Sequence, residues 1–341
     1  MGSRVLLTGA TGAIGPHVAG ELLAGEVDGL DVLIRAGTGL ASSPRERFGR
    51  WREMVARVAP RVEPDRMQAV TGDLTLDGLG LDQADTDRLA NETEYIVHAA
   101  ADTQFRTAAP VQREVNVDGT RRMIELARRC RRLRRFILVS TTCVAGARTG
   151  VIEETAPADA APVFVNGYER TKWEAERLAL ASGLPVRVVR LSVVTGSERD
   201  GFVHRPGALH HVLRWFGRGL VPVIPAGPGA SVDLISSETA ARCLACFALT
   251  DVEGPRVVHV AAGARAAPLV ELVGVAMGSL GMSRADAPRL VDRAAFDAWC
   301  AGDADTTDPG VRIARQVAES IDTFLPGLLY PKTFATKGAE A

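Results

Sequence analysis

Residues 5–15 have the sequence Val-Leu-Leu-Thr-Gly-Ala-Thr-Gly-Ala-Ile-Gly, and a helical pattern of apolar residues follows over 18–23. A strand, a glycine turn and a helix in this order can bind a phosphate through backbone N–H groups at the helix start. Gly9 permits the tight turn, Gly12 lets the backbone approach a pyrophosphate, and Gly15 lets the helix pack closely on the strand. A glycine turn without a ligand is the alternative. The predicted dinucleotide-binding residues are Gly9, Thr11, Gly12, Ala13, Ile14 and Gly15.

The rest of the chain alternates short apolar runs with helical patterns. The later runs predicted to be strands are 31–35, 67–71, 95–101, 136–139, 186–191 and 257–260. Strands that alternate with helices form a parallel sheet with helices on both faces. We therefore predict an α/β fold with a doubly wound parallel sheet of the Rossmann type.

The alternation stops after Ser192, where glycine and proline become frequent. We expect a smaller, mixed part of the chain to cover the substrate. The expected boundaries are 1–195 plus 231–264 for the NADP-binding Rossmann domain, 196–230 plus 265–334 for the substrate-binding part, and 335–341 for a disordered tail.

The residue that ends the second strand favours one cofactor over another. A site for NAD places Asp or Glu there to accept a hydrogen bond from the ribose 2′-hydroxyl, whereas this chain has Arg35. A cation at this position suits the 2′-phosphate of NADPH. Arg45 and Arg47 follow in a polar segment, and Arg47 is the second candidate for the phosphate, although each of these two alone is more typical of a solvated face.

Three further groups of residues are placed to contact the cofactor. Asp73, followed by Leu74, comes directly after the third strand, where a carboxylate can accept a hydrogen bond from an adenine amino group or can stabilise a turn. The fourth strand ends in the small residues Ala99, Ala100 and Ala101, which would let a nicotinamide ribose lie against the backbone. We expect His98, just before them, to be a packed or hydrogen-bonded core histidine.

Tyr168 and Lys172 are four residues apart in a predicted helix and therefore lie on one face, one turn apart. A nearby ammonium favours the phenolate, which is what a proton-donating tyrosine needs near neutral pH. The chain has three lysines among 40 basic residues, so Lys172 stands where arginine is the rule. The fifth strand delivers Ser140, Thr141 and Thr142 to the carboxyl edge of the sheet, where such folds bind ligands. A surface helix with this spacing by accident is the alternative.

Composition excludes several classes of partner. A net charge of −1 and a pI near 6.6 give no global electrostatic basis for binding nucleic acid or a membrane. No apolar run is long enough for a transmembrane helix, and we expect a cytoplasmic protein. The five cysteines show no disulfide framework and no metal site, and we expect Cys243 and Cys246 to be core thiols. The arginine run over 128–135 is either a solvated helix end or a docking patch for an acidic partner.

Six motifs occur in order: TGATGAIG at 8–15, GDL at 72–74, HAAA at 98–101, NVDGT at 116–120, STT at 140–142 and YERTK at 168–172. With these, the chain resembles the extended short-chain dehydrogenase/reductase superfamily over roughly residues 4–260. Arg35, the Arg-Phe pair at 47–48 and the segment from Gly167 to Glu176 resemble its thioester-reductase and fatty-acyl-CoA-reductase branch. Two positions depart from common patterns: Thr141 stands where many members have Ser, and Ala145 stands where sugar-nucleotide epimerases usually have Tyr.

The resemblance implies a role for each matching residue. The catalytic hydroxyl falls on Thr141, with Thr142 as the second choice. Tyr168 would donate the proton, and Lys172 would lower its pKa and hydrogen-bond the nicotinamide ribose. Asn116, counted among the cofactor-site residues, would brace the fourth strand.

The implied activity is NADPH-dependent reduction of an acyl thioester, carried by a carrier protein or CoA, to aldehyde or alcohol. A ketone/alcohol oxidoreductase and a sugar-nucleotide epimerase or dehydratase are the alternatives on the same scaffold, and a non-catalytic NADP(H) sensor is the alternative of another class. An acidic carrier protein is an expected partner, with 128–135 as one docking place. The resemblance also makes a homodimer an expectation.

Overall fold

The structure is a computed structural model that describes residues 3–340, except 26, 36–42, 106, 252–253, 303–308 and 325. The first half contains β1 (Arg4–Thr8), α1 (Gly15–Ala24), β2 (Gly29–Ile34), α2 (Pro44–Val58), β3 (Met67–Thr71), α3 (Gln83–Glu92), β4 (Thr93–His98), α4 (Ala109–Arg113), α5 (Gly119–Arg129), β5 (Arg135–Thr141), β6 (Gly150–Ile152) and α6 (Gly167–Leu180). A π-helical turn, Glu114–Asp118, joins α4 to α5.

The second half begins with β7 (Val186–Leu191), β8 (Val193–Val194), α7 (Ala208–Phe216), β9 (Val223–Pro225), β10 (Ser231–Val232), β11 (Leu234–Ile235), α8 (Ser237–Leu249) and β12 (Val257–Val260). It ends with β13 (Ala267–Pro268), α9 (Leu269–Ser279), β14 (Arg289–Val291), α10 (Arg293–Ala301), α11 (Pro309–Phe324), β15 (Lys332–Phe334) and α12 (Lys337–Glu340). None of the helices described is long and apolar enough to cross a membrane.

Seven strands form one sheet in the order β12-β7-β5-β4-β1-β2-β3, and every neighbouring pair is parallel. The predicted doubly wound sheet is therefore confirmed. One hydrophobic cluster packs on each face, with α1, α2 and α8 on one side and α3, α5 and α6 on the other. The strand order reverses between β1 and β4, and the carboxyl ends of strands at such a point form a binding crevice.

A separate hydrophobic cluster lies outside the main sheet. Its buried members come from α7, β9, β10, α9, α11 and the loops beside them: Val212, Phe216, Val221, Ile224, Val232, Leu269, Val317 and Leu328. Short two-stranded pairings, β9 with β14 and β10 with β13, connect these segments. This cluster gives the later part of the chain a core of its own.

The expectation of a disordered tail over 335–341 is wrong for residues 335–340; Ala341 lies outside the described residues. The strand β15 pairs in parallel with β6, and α12 packs against β12. The Glu154 carboxylate accepts hydrogen bonds from the backbone N–H of His259 and of Gly338, both at 2.7 Å. Glu154 is remote from both in sequence, so the sequence pattern did not indicate this anchor.

The arginine run over 128–135 ends α5 and begins β5, at the opposite edge of the sheet from the carboxyl ends of its strands. Four of its side chains pair with carboxylates of the same chain: Arg129 with Asp87, Arg132 with Glu94, and both Arg134 and Arg135 with Asp251. The structure therefore does not favour this run as a docking patch near the binding crevice.

A buried ion pair holds α6 to the sheet. Arg190 on β7 donates to both carboxylate oxygens of Glu176 on α6, with its Nη2 lying 2.7 Å from Oε2. Ser140 on β5 donates to Oε1 at 2.6 Å, and Arg190 Nη1 lies 3.3 Å from His259 Nε2 on β12. One helix and three strands thus meet at a single ion pair.

We predict that Arg190→Met lowers the free energy of unfolding by about 3–5 kcal/mol, because it leaves the Glu176 carboxylate buried without its cation. The matched control is Arg121→Met, whose pair with Asp118 is partly exposed and should contribute less than about 1 kcal/mol. Urea unfolding curves of both variants and the parent measure this. Equal losses in the two variants would contradict the role assigned to the buried pair.

Candidate active site

The glycine turn packs tightly against the chain that follows β4. Gly9 has a φ of +75°, and a Cβ there would lie 2.5 Å from Ala100 N. The Gly12 N–H donates to Gly9 O at 2.8 Å, and a Cβ on Gly15 would lie 1.7 Å from Ala10 O. Each of these glycines is required by a close backbone approach. The turn therefore has the compact shape that leaves room for an anion at the start of α1.

A cleft of about 600 Å³ opens at the carboxyl ends of β1, β4, β5 and β7. Most of the residues predicted for the site line it: Gly9, Thr11, Gly12, Ala13, Ile14, Arg35, Arg47, Asp73, Leu74, Ala99, Ala100, Ala101, Thr141, Tyr168 and Lys172. Gly15 and Asn116 do not line the cleft. Gly15 packs α1 against β1, and Asn116 lies behind the residues that form the cleft wall. The structure thus brings together residues that are far apart in sequence.

Three arginines converge at one end of this cleft. Arg35 follows β2, Arg47 lies on α2, and Arg205 comes from the loop after β8. Burial lowers the pKa of Arg47, and so do the charges of Arg35, Arg205 and Arg50. The nearest carboxylate to Arg35 is Asp73, with 4.0 Å between Nε and Oδ2. A cluster of like charges with so little compensation favours a bound anion.

Arg205 had no signal in the sequence, because its segment is rich in glycine and proline and far from the other arginines. The 200–207 segment is held in place from two sides. Arg57 of α2 pairs with Asp200 at 3.5 Å and lies 4.0 Å from the centre of the Phe202 ring. Burial lowers the pKa of His204, and the backbone of Thr11 in the glycine turn opposes this, so the ring lies beside that turn.

Asp73 is a turn former that also faces the cleft. Its Oδ1 accepts hydrogen bonds from the backbone N–H and the hydroxyl of Thr75, both at 2.9 Å. Its Oδ2 is directed toward Arg35. One carboxylate oxygen is therefore committed to the turn, and the other lies beside the cation at the end of β2.

Tyr168 and Thr141 meet where α6 begins and β5 ends. The Asn166 side chain caps α6 by accepting from the Glu169 N–H at 3.0 Å, which fixes where the helix starts. Burial raises the pKa of Tyr168, and its hydrogen bond with the Thr141 hydroxyl opposes this. The Cys143 N–H donates to Thr141 Oγ1 at 3.1 Å and orients that hydroxyl.

Lys172 lines the cleft together with Tyr168, and its role toward the phenol stays a prediction. Its Nζ donates to the Val139 carbonyl at 2.8 Å, and burial lowers its pKa to about 8 against the opposing charge of Glu176. The groups that shift the pKa of Tyr168, apart from burial, are Cys143, Thr141 and Glu169. In this structure the ammonium is directed to the strand, so the phenol keeps its proton at neutral pH.

Asn116 braces the loop after β4. Its Oδ1 accepts from the Asp102 N–H at 2.7 Å, and its Nδ2 donates to the Asp102 carbonyl and to Thr171 Oγ1 on α6, both at 3.0 Å. Asn116 lies in the π-helical turn, and such turns occur often at functional sites. It is a positioning residue for α6, not a wall of the cleft.

His98 is the hydrogen-bonded core histidine that the sequence predicted. It is buried, with Nδ1 2.7 Å from Thr8 Oγ1 and Nε2 3.1 Å from Thr120 Oγ1. Burial, followed by the charge of Lys172, lowers its pKa to about 3. His98 is therefore neutral and joins β1, β4 and α5.

Ser192, at the end of β7, lines the cleft and was missed by sequence reasoning. Its hydroxyl is buried and has no hydrogen-bond partner in the described part of the chain. A buried polar group without a partner carries a free-energy cost that a ligand can remove. The only available signal was its place directly after a buried strand.

A smaller pocket of about 110 Å³ adjoins the cleft beside Tyr168, and we call it the side pocket. Its lining residues are Phe105, Thr142, Cys143, Gly146, Val165, Glu169, Val193, Ser231, Val232, Asp233, Gly327, Leu328, Lys332 and Phe334. Glu169 is only 3% exposed, and burial raises its pKa to about 7. The expected Rossmann range 231–264 and the expected substrate-binding part 265–334 both contribute to this lining.

The cysteines differ from the expectation at one position. Cys243 is partly buried against the core, but Cys246 is exposed at the surface of α8. The two residues are three apart on the helix and therefore point in somewhat different directions. Within the described residues no cluster of His, Cys, Asp or Glu could hold a metal ion.

Comparison with known proteins identifies relatives of this chain. The model of the family described as male sterility protein matches residues 7–244. The isonitrile lipopeptide synthase of Streptomyces coeruleorubidus is 30% identical over 362 aligned positions, which cover 95% of this chain and 23% of that protein. A putative fatty acyl-CoA reductase of Drosophila melanogaster is 25% identical, covering 69% of this chain and 52% of that protein. The chain thus spans less than two thirds of the length of these relatives.

Solved structures share the fold over almost the whole chain. The terminal R domain from the myxalamid PKS-NRPS biosynthetic pathway has a TM-score of 0.76 and 25% identity, covering 99% of this chain and 84% of that one. A thiolation-reductase di-domain from an archaeal non-ribosomal peptide synthetase has a TM-score of 0.70 at 19% identity, covering 96% and 69%. The second likeness is one of fold alone.

We predict a pH-dependent stability difference between Glu169→Gln and the parent. The raised pKa of Glu169 means that the folded state binds more protons than the unfolded state between about pH 4.5 and 7. Protonated Glu169 stabilises the folded state at low pH, and this contribution to the free energy of unfolding is lost as the pH rises through 7. Between pH 5 and pH 8, the free energy of unfolding of the parent should therefore fall by about 2 kcal/mol relative to that of Glu169→Gln.

Urea unfolding at the two pH values measures this difference, and other titrating groups cancel in the comparison. Glu125→Gln, at an exposed position on α5, is the matched control and should show no change with pH. A Glu169→Gln variant with the same difference from the parent at both pH values would contradict the prediction.

Proposed function

The chain belongs to the male sterility protein family, in the thioester-reductase branch of the extended short-chain dehydrogenases/reductases, and from this membership we propose that it is an NADPH-dependent reductase of acyl thioesters. Membership establishes an oxidoreductase with a nicotinamide cofactor. The choice of NADPH, the thioester substrate and the roles of individual residues are the proposal.

One observation carries the proposal. The Tyr168 and Thr141 hydroxyls lie together in the wall of a cleft whose far end holds three arginines. This arrangement matches a phosphorylated dinucleotide cofactor. The proton donor and the second hydroxyl would lie near its nicotinamide, and the anion site would bind its 2′-phosphate.

The residues present fit such a cofactor. The glycine turn leaves a cradle that a Cβ would fill, and the Ser192 hydroxyl offers an unused hydrogen bond. The glycine turn and the start of α1 would hold the pyrophosphate, and Ala99, Ala100 and Lys172 would adjoin the nicotinamide ribose. When bound, NADPH would supply a hydride to the substrate carbonyl.

The arginine cluster supports NADPH over NADH. Guanidinium groups bind phosphate through paired N–H donors and remain charged, so Arg35, Arg47 and Arg205 suit a doubly charged 2′-phosphate. A ribose 2′-hydroxyl would leave their mutual repulsion uncompensated. Arg205 lies on the 200–207 segment, which adjoins the glycine turn. We therefore assign this segment to the cofactor site.

The chain's own residues would stabilise and protonate the reacting oxygen. The Tyr168 phenol keeps its proton because burial raises its pKa. Thr141, oriented by the Cys143 N–H, would donate alongside it to the developing oxyanion. Tyr168 would then give up its proton as the oxygen becomes an alcohol. Collapse of the resulting hemithioacetal breaks the C–S bond and yields an aldehyde and a free thiol. A second reduction would give the alcohol.

The substrate class is supported by the relatives. The relatives include a putative fatty acyl-CoA reductase and a thiolation-reductase di-domain of a non-ribosomal peptide synthetase. We propose that the acyl group is carried on CoA or on a carrier protein. The segments 196–230 and 265–334, which contain a hydrophobic cluster of their own, would form the substrate-binding part, except that the 200–207 segment serves the cofactor.

We predict that Tyr168→Phe lowers kcat at least about 100-fold, because the reacting oxygen loses its proton donor. The Kd for NADPH should stay within about threefold of the parent, since the phenol hydroxyl is a minor part of the cofactor site. NADPH oxidation with an acyl-CoA, coupled to thiol detection, measures the first, and isothermal titration calorimetry the second. Tyr95→Phe, in the core, is the control. Retained thiol release in Tyr168→Phe would refute the assigned role.

We predict that Arg205→Met raises the Kd for NADPH about 10- to 100-fold, because a charge-assisted contact with the 2′-phosphate is lost. The Kd for NADH should change less than about threefold, since NADH lacks that phosphate. Calorimetric titration with both cofactors measures this. Arg218→Met, after α7, is the matched control. An equal loss of affinity for the two cofactors would refute recognition of the 2′-phosphate by Arg205.

A further inference from the structure

The side pocket adjoins the place where the reacting carbonyl would lie. Four chain segments each give one residue to the cleft and the next residue to the side pocket: Gln104 and Phe105, Thr141 and Thr142, Tyr168 and Glu169, Ser192 and Val193. The Phe105 and Tyr168 rings are 5.6 Å apart. A group held in the side pocket is therefore next to the hydroxyls of Tyr168 and Thr141.

Three charged residues, Glu169, Asp233 and Lys332, lie in the otherwise largely apolar lining of this pocket. The Glu169 carboxylate accepts from the Val165 N–H through Oε2 at 2.9 Å, and the described residues provide no partner for its Oε1. Lys332 donates to the Gly146 carbonyl at 2.5 Å, which leaves further N–H donors. The chain has only three lysines, and this is the second of them at the site.

The third charged residue of the lining is already occupied. Asp233 accepts from the Ala262 N–H through Oδ1 at 2.7 Å and from the Gly263 N–H through Oδ2 at 2.8 Å. Burial raises the pKa of Glu169 and lowers that of Lys332, and the attraction between the two charges opposes both shifts. Each of the two residues still has hydrogen-bonding capacity in the side pocket.

We propose that the side pocket binds an amide group in the acyl chain of the substrate, with its N–H donating to Glu169 and its C=O accepting from Lys332. This inference rests on the proposed function and adds a substrate class to it: thioesters of N-acylated amino acids, rather than plain alkyl thioesters. Glu169 and Lys332 are then specificity-determining residues for that reaction.

An amide satisfies both groups, and the alternatives do not. An alkyl chain would exclude water from the carboxylate and the ammonium without replacing the hydrogen bonds that water makes to them. The two groups would then bear the full free-energy cost of desolvation. A free ammonium would satisfy the acid but would be repelled by Lys332. The side pocket, with a volume of about 110 Å³, has room for an amide group.

The experiment compares two CoA thioesters with the same number of chain atoms, N-acetylglycyl-CoA and pentanoyl-CoA. NADPH oxidation and thiol release give kcat/KM for each. We expect the parent to prefer the amide substrate at least about tenfold, since sites built to hydrogen-bond a substrate reject analogues that lack the group. Glu169→Met and Lys332→Met should each reduce that preference about tenfold or abolish it.

The matched controls are Glu125→Met, on the surface of α5, and Lys337→Met, at the start of α12. Both should keep the preference of the parent. Glu169→Gln still offers a carbonyl acceptor and should keep part of the preference for the amide substrate. A general disturbance of the fold would not produce this difference between the Gln and Met variants. The Kd for NADPH, measured by calorimetry on every variant, verifies that the cofactor site is intact.

A parent that does not prefer the amide substrate would overturn the inference while leaving thioester reduction standing. The same holds if Glu169→Met and Lys332→Met lower kcat/KM equally for both substrates. If neither thioester releases thiol with the parent protein, the proposed function fails, and the inference fails with it.

Discussion

The ion pair between Glu176 and Arg190 determines where the reactive helix lies. Two charges that have left water are tolerated only where further hydrogen bonds satisfy them, and here Ser140 on β5 and His259 on β12 meet that need. Glu176 is one turn after Lys172 and two turns after Tyr168, so the three side chains share a face of α6. Fixing the carboxylate beneath the helix therefore fixes the phenol beside Thr141. Asn116 adds a second constraint through Thr171 on the same helix.

Repulsion between cations, or hydrogen-bonding capacity, is left unsatisfied at two places around the cleft, and both places point to ligands. At one end Arg35, Arg47 and Arg205 repel one another. Beside Tyr168, Glu169 and Lys332 share a small pocket, each with hydrogen bonds to spare. By contrast, arginines at the start of β5 and just before it pair with Asp87, Glu94 and Asp251. The contrast supports one ligand that is anionic at the arginines and another that carries a hydrogen-bonding group beside Tyr168.

Much of the fold and part of the candidate site could be predicted because the signals were local. Each of the seven strands of the main sheet is a short apolar run that needs only its own residues to be recognised. Gly9, Gly12 and Gly15 follow one of these runs at fixed spacing, and Tyr168 and Lys172 are one helical turn apart. The errors came where the deciding contact is distant. Glu154 anchors the tail through Gly338, which is 184 residues away in the sequence.

The sequence by itself determined the sheet, the glycine turn and the hydroxyls at the end of β5, because hydrophobic periodicity and glycine conformation act over a few residues. Only the tertiary structure decided that Arg205 joins Arg35 and Arg47, that Ser192 is buried without a partner, and that Glu169 and Lys332 share a pocket. These groups are brought together by packing between segments up to 170 residues apart. Burial and Coulomb interactions depend on such distances in space, and no spacing along the chain encodes them.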